Sequence, residues 1–501
     1  MATTGDLPPE TLSLVLRKLV EPQNKWNPNS PLTYEHLCNA RLVCRQWHAL
    51  ATPHLFRTVT LDAGPKKGDW SWEDNVWNRM IGSKTVQTVA RNVVICSHHS
   101  GPTPKGNGED TVLEYHNDDN EDDPLAVAIN GIAKLPNLQS LQITFGDTCM
   151  GDRVYDWGEE WGVEADEDYE SITHRLQTLN TVFRAIQKRC AALGLGDDSS
   201  TRPSTIRSLA LKNLQNLPIR DFAASDLYKD IVKDLTELHL LITHEYHEHG
   251  PDRDLEYPER QTYEPYLQNE LLPPLAQQLT SLTLVFKECW GVMPAYFNGA
   301  GLAFPALKTL TLGEFVIGHH DQFDWVLAQK SLETLRLGRC FIVSHLNITN
   351  DHWNAWSVRT HDWQELPDGA FDSYRAHAHA FGFSGTWGTV YDAIRDGLPN
   401  LREFCFEIND RDCFDGRENM GARLSKLRYI VFDSGLCPSP WIEAHKWDGQ
   451  LEFGNNDPTP YPPDPTRDNR PIKTLSRAQE TEVGDSRAFE QLLRVVQKRQ
   501  R

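Results

Sequence analysis

At 501 residues the chain exceeds one ordinary domain, and 24% charged against 39% hydrophobic residues is the balance of a soluble globular protein. A net charge of −20 argues against binding to a phosphate backbone, so nucleic acid is not an expected partner. No apolar run approaches the ~20 residues of a membrane span, and ten cysteines without a C-x-x-C pair predict reduced thiols in the cytoplasm or nucleus.

The first 57 residues form a distinct helical module. Pro8 and Pro9 suit the first turn of a helix, where a missing N–H costs nothing, and Glu10 complements the positive end of the dipole. Leu12, Val15, Leu16 and Leu19 recur at steps of three and four, which predicts one apolar face. Glu21-Pro22 ends this helix. Thr33 is an N-cap candidate for a second helix, with Leu37, Ala40, Cys44 and Trp47 in one apolar row and Val43, Trp47 and Leu50 in another. Thr52-Pro53 is expected to restart a short third helix, and Thr58–Leu61 switches to the two-residue period of a strand. A three-helix piece of about 50 residues is marginal alone, so its second apolar row should meet another chain or the following domain.

The same residues carry a resemblance. Leu7-Pro8-Pro9-Glu10 with Leu12, Val15, Leu16 and Leu19, followed by Ala40-Arg41-Leu42-Val43-Cys44-Arg45-Gln46-Trp47, resembles an F-box. The RLVCRQW…ATPHLF continuation resembles the type abundant in filamentous fungi. The resemblance implies a docking surface for the Skp-type adaptor of a cullin ubiquitin ligase. Carried over by position, Leu7, Pro8, Leu12, Leu16, Leu37, Val43, Cys44 and Trp47 would form or support that surface. Residues 22–32 lengthen the first inter-helix loop beyond the usual short connection.

Residues 58–454 repeat a phrase of a helical segment followed by L-x-x-L-x-x-L-x-L or a shortened form. Leu135, Leu138, Leu141 and Ile143 give a clear copy, and Leu209, Leu238, Leu282, Leu310, Leu335, Phe404 and Ile430 mark later ones. Copies at 282, 310 and 335 lie 28 and 25 residues apart, within the leucine-rich-repeat period. Such units bury their apolar faces only by stacking, so the expected fold class is α/β: the helical module, then an irregular leucine-rich-repeat-like solenoid with a parallel sheet. A different α/β arrangement is the alternative.

Stretches at about 98–124, 149–171, 244–274 and 345–397 fall outside the pattern and read as insertions, the last rich in tryptophan. Residues 455–485 read as a proline-rich linker, and 486–501 as a final helix with Phe489, Leu492, Leu493 and Val496 on one face.

Catalytic patterns are weak. HEYHEH at 244–249 offers His244, His247 and His249, but not at the four-residue spacing that puts two imidazoles on one helical face, and a solvated loop is the simpler reading. His319-His320-Asp321 is weaker still, and no phosphate loop or nucleophile turn is present. No metal or other cofactor is expected, and no enzymatic activity. Strand residues alternating with the leucines, chiefly His239, Arg336, Glu403, Glu407 and Tyr429, are the expected target-binding row. The function the F-box resemblance implies is the substrate-recognition subunit of an SCF-type cullin–RING ligase, with an unidentified target protein. A protein-binding scaffold without a degradative role is the alternative.

Overall fold

The computed structural model describes residues 8–19, 35–62, 76–97, 124–146, 149–150, 170–189, 203–243, 258–367, 377–408, 420–433 and 477–501. They fall into two compact units, residues 1–214 with 224–235, and residues 215–223 with 236–501.

The first unit opens with α1 (Pro9–Lys18), α2 (Glu35–Arg41) and α3 (Arg45–Leu55). The sequence places a helix break at Thr52-Pro53, but the break falls earlier. Leu42 N–H bonds to Asn39 C=O and Val43 N–H to Ala40 C=O, a three-residue spacing that tightens α2 to its end. Cys44 is then extended (φ −164°, ψ 172°) before α3 begins. Pro53 sits inside α3 near its end, where the loss of one amide bond is tolerated. The bend lets Leu37 and Ala40 of α2 and Ala51 of α3 share one core with Leu12 and Leu16 of α1.

Four parallel strands follow: β1 (Thr58–Asp62), β2 (Asn92–Cys96), β3 (Ser140–Thr144) and β4 (Ser208–Gln215). Their register aligns the apolar positions, so that Val59, Val93, Leu141 and Leu209 form one lateral row and Leu61, Ile95, Ile143 and Leu211 another. Strands β1 to β3 bury alternate residues, as a sheet with one packed face should. Helix α4 (Ile172–Gln187) lies between β3 and β4 in sequence and turns Leu176, Leu179, Val182, Phe183 and Ile186 inward, as its 3–4 spacing predicts. At its start a buried ion pair knots three strand ends. Glu170 takes Arg175 Nε at 2.9 Å, the Gly146 amide at 2.8 Å and the Ser97 hydroxyl, while Arg175 reaches the carbonyls of Asn213 and Gly146.

The second unit holds β5 (Glu237–Thr243), β6 (Ser281–Trp290), β7 (Thr309–Ile317), β8 (Thr334–Gly338), β9 (Phe341–Thr349), β10 (Ala378–Gly382), β11 (Glu403–Glu407) and β12 (Tyr429–Asp433). Parallel register puts Leu238, Leu282, Leu310, Leu335 and Phe404 in one row. The expected alternation fails here. Residues on both faces of β5, β6 and β7 are buried, including Thr283 and Thr311, so these strands read as near-continuous apolar runs (LHLLIT, LTLVF). Residues 345–397 are not simply outside the pattern either. Strand β9 pairs parallel with β12 and antiparallel with β10, and α5 (Trp387–Gly397) completes the stretch.

The closing helix, α6, spans Arg477–Gln500. It begins within the stretch read from sequence as linker, nine residues before Ser486. Phe489, Leu492 and Val496 are buried as expected, and so is Asp485, which is not. Phe489 meets Tyr391 of α5 and Phe404 and Phe406 of β11.

His345 on β9 gives this unit a pH dependence. Burial, with the charge of Arg477 second, pushes its imidazole down to about 4. The unfolded chain therefore takes up that proton first as pH falls, so stability is lost between about pH 6.5 and 4, and the site adds nothing above that window. In urea titrations at pH 7 and pH 5, His345→Gln is expected to lose less stability than wild type, by on the order of 1–2 kcal/mol. Equal losses in the two proteins would show that His345 does not set the slope.

Candidate functional site

In the amino-terminal module the structure separates residues that build the core from residues left facing solvent. Leu12, Leu16 and Leu37 are 1%, 0% and 0% exposed, and Trp47 packs half-buried against them with Leu19, Leu50 and Leu55. These side chains hold the three helices together. Pro8, Val43 and Cys44 are exposed, and Leu7 lies outside the described residues. Val15, read from sequence as part of the inward face of α1, turns outward at 46% exposure.

Two apolar residues that sequence reasoning missed stand out beside them. Leu14 is 63% exposed and Leu42 84%, with Val43 at 61%. Leu14 lies two positions from Leu12 and two from Leu16, off the face that those leucines share, and this offset is the signal that could have found it. Leu42 and Val43 occupy the bend between α2 and α3, and only the location of that bend shows that they are free of the core. Solvent-facing leucine and valine at two places in so small a module cost hydration free energy that a partner surface would recover. Ser13 Oγ lies 3.0 Å from His54 Nε2, a contact that ties α1 to α3.

The row read as a target-binding surface does not survive as one exposed strip. His239 is 7% exposed, with Nδ1 2.8 Å from Thr283 Oγ1, and Tyr429 is 0% exposed. Tyr429 donates its hydroxyl to Asp485 of α6 at 2.9 Å and packs beneath that helix. Neither residue can meet a target without rearrangement. Arg336 and Glu403 do lie together, with a 2.7 Å ion pair across β8 and β11, and Glu403 keeps 43% of its side chain exposed. Glu407 is half-buried and accepts the Gly421 amide at 3.1 Å. Only the Arg336–Glu403–Glu407 portion faces solvent at all.

Of the histidine clusters, residues 244–249 lie outside the described residues. His319, His361 and Asp362 bring three potential metal donors within 4.8 Å of one another. The rings of His319 and His361 stack at 4.8 Å and 6°, however, so their in-plane lone pairs point along nearly parallel planes and not at one shared ion. Asp362 is committed to hydrogen bonds, with Oδ1 2.6 Å from His319 Nδ1 and Oδ2 accepting the His320 amide at 2.9 Å. Burial works to raise the Asp362 carboxyl, but those bonds and the neighbouring imidazoles outweigh it and hold it below the usual carboxylate range. This arrangement fastens residues 361–363 to the turn at 318–320. No described helix is long and apolar enough to cross a membrane.

No curated protein matches the chain. Residues 4–62 match the F-box-like family model, so the module built on Leu12, Leu16 and Leu37, with Leu14, Leu42 and Val43 left outward, is an F-box-like domain.

Proposed function

We propose that this chain is the substrate-recognition subunit of an SCF-type cullin–RING ubiquitin ligase. The observation that carries the reading is the outward exposure of Leu14, Val15, Leu42 and Val43 in a domain whose core is already closed. These four, with Pro8 and Cys44, are the contacts for a Skp-type adaptor, and through it for a cullin. Leu12, Leu16, Leu37 and Trp47 support them from behind. The parallel strands, read as an irregular leucine-rich-repeat-like solenoid, would present the target protein. The RLVCRQW…ATPHLF residues support reading the module as the fungal type. The chain contributes proximity and no catalytic residue: a target lysine held near the charged thioester gains effective concentration.

The test is capture of adaptor and cullin by the intact protein against a Leu14→Asp, Val43→Asp double variant. Buried apolar anchors in interfaces are worth about 2 kcal/mol or more each, so adaptor affinity should fall by at least about thirtyfold. The far-ultraviolet spectrum should not change. Equal recovery of adaptor by both proteins would refute the docking face. Adaptor capture by the intact protein with no rise in target abundance after deletion of the chain would favour a scaffold role.

A further inference from the structure

A cavity of about 270 Å³ opens in the second unit between the helical stretch 258–271, the loop at 292–298 and the segment 355–359. Its wall is mixed. Val292, Pro294 and Trp356 supply apolar surface, Gln261 and Asn269 supply amides, and Arg359 is the one charged residue among those described that line it. The Arg359 guanidinium lies 4.1 Å from the centroid of the Tyr296 ring, and it makes no ion pair among the described residues. Stacking occupies the flat face of a guanidinium, the Tyr296 hydroxyl draws on one of its edge N–H donors, and the others are available. Tyr296 is a neutral donor at physiological pH, because burial, with Asp321 second, pushes its phenol up to about 12.

The lining discriminates between ligand classes. No carboxylate lines the cavity, so a metal or organic cation would find no counter-charge there. Asp321 and Asp362 both act on Tyr296 from nearby but stand outside the lining, and Asp362 is already bonded to His319 and the His320 amide. The volume falls just below the ~300 Å³ at which small-molecule sites begin, too little for a nucleotide and sufficient for a chain end or a short side chain. Amides along the wall suit the peptide groups on either side of an anchored residue.

We propose that this cavity binds a carboxylate presented by a peptide, with Arg359 as its charged partner and the Tyr296 hydroxyl and the Gln261 and Asn269 amides around it. The peptide's source is a target protein, and in that respect the proposal rests on the receptor reading above. The carboxylate is either a chain terminus or an acidic side chain.

Ligand-observed NMR on the full-length protein tests it with four N-acetylated glycine tetrapeptides: a free carboxyl terminus, its carboxamide, and carboxamides carrying one aspartate or one lysine. A carboxylate peptide should bind at least about tenfold tighter than the neutral carboxamide. Whichever of the two carboxylate peptides does so identifies the source. Arg359→Met should erase that margin while leaving the thermal midpoint unchanged, and Arg359→Lys should keep part of it. Equal binding of all four peptides, binding of none, or an undiminished margin in Arg359→Met would each overturn the proposal. No adaptor is present in this experiment. Failure here with intact adaptor capture removes only the pocket, and the converse removes only the receptor reading.

Discussion

Replacing Asp485 by alanine is expected to cost the second unit about 3–5 kcal/mol. Asp485 is 1% exposed and Arg428 0%, and their 2.8 Å ion pair is buried beneath α6. The carboxylate also accepts the Gly388 amide at 2.6 Å, the Tyr429 hydroxyl at 2.9 Å and the Thr481 hydroxyl at 2.7 Å. Truncation leaves a buried guanidinium with only carbonyls, Thr481 and the half-exposed Glu482 for company. Such a loss outweighs what the pair contributes while intact, because one stranded charge retains its full desolvation cost. Backbone approach tightens the same junction. A Cβ built on Gly388 would lie 3.4 Å from the backbone of Gly484, so α5 and α6 meet glycine to glycine. Urea unfolding followed by tryptophan fluorescence reads the loss, and limited proteolysis should cut first near Arg477. Asp485→Asn, which keeps an acceptor without the charge, should fall between. An unchanged midpoint in Asp485→Ala would show that the apolar contacts of Phe489 and Leu492 hold the helix alone.

The second large effect separates two leucines in one helix. Leu16→Asp should unfold the F-box-like domain, whereas Leu14→Asp should leave it intact. Leu16 is 0% exposed among Leu12, Leu37, Ala40 and Ala51. Loss of a buried leucine alone costs about 2–5 kcal/mol, and a carboxylate in its place adds a desolvation cost. A domain of about 60 residues has little reserve against that. Leu14 is 63% exposed, and surface changes of this kind stay within about 0.5 kcal/mol. Hydrogen exchange of the intact protein is the direct measurement, since it reports residues 9–55 separately from the strands. Amide protection across α1 to α3 should disappear in Leu16→Asp and persist in Leu14→Asp. Protection lost in both would mean that Leu14 also belongs to the core.

The contrast shows what the sequence could reveal about this site. Three-and-four spacing identifies Leu12 and Leu16 as inward because a helix repeats every 3.6 residues wherever it packs. The same rule swept Val15 into the core, because an apolar flank at 100° from that face satisfies it whether or not anything covers it. Leu42 and Val43 depend on where α2 ends, and Thr52-Pro53 is the stronger local signal for a break. Tertiary packing of Leu37, Ala40 and Ala51 onto α1 decided otherwise.

The strands show a parallel division. Leucines at 282, 310 and 335 were visible as a repeat because one lateral row needs one residue type at one register, and the pairing bears out that register. The exposed partner row was inferred from period-two alternation, which holds in β1 to β3 and fails in β5 to β7, where both faces are covered. His239 fell to that failure, whereas Tyr429, on β12, is covered by α6. A solitary aspartate in a helix rich in arginine carries no local mark of burial, and Arg428 lies 57 residues upstream of it.

Because α6 seats on β11 and α5 from across the interval between Asp433 and Arg477, those surfaces stay uncovered until a distant part of the chain arrives. Closing so long a span has an entropic cost that grows only slowly with length, yet it delays the contacts that reward it. During synthesis the aromatic patch of Tyr391, Phe404 and Phe406 must therefore wait, unprotected, for the emergence of Phe489. A chaperone that shields aromatic surface would act on that intermediate, and a lesion that removes α6 would strand the nascent chain there.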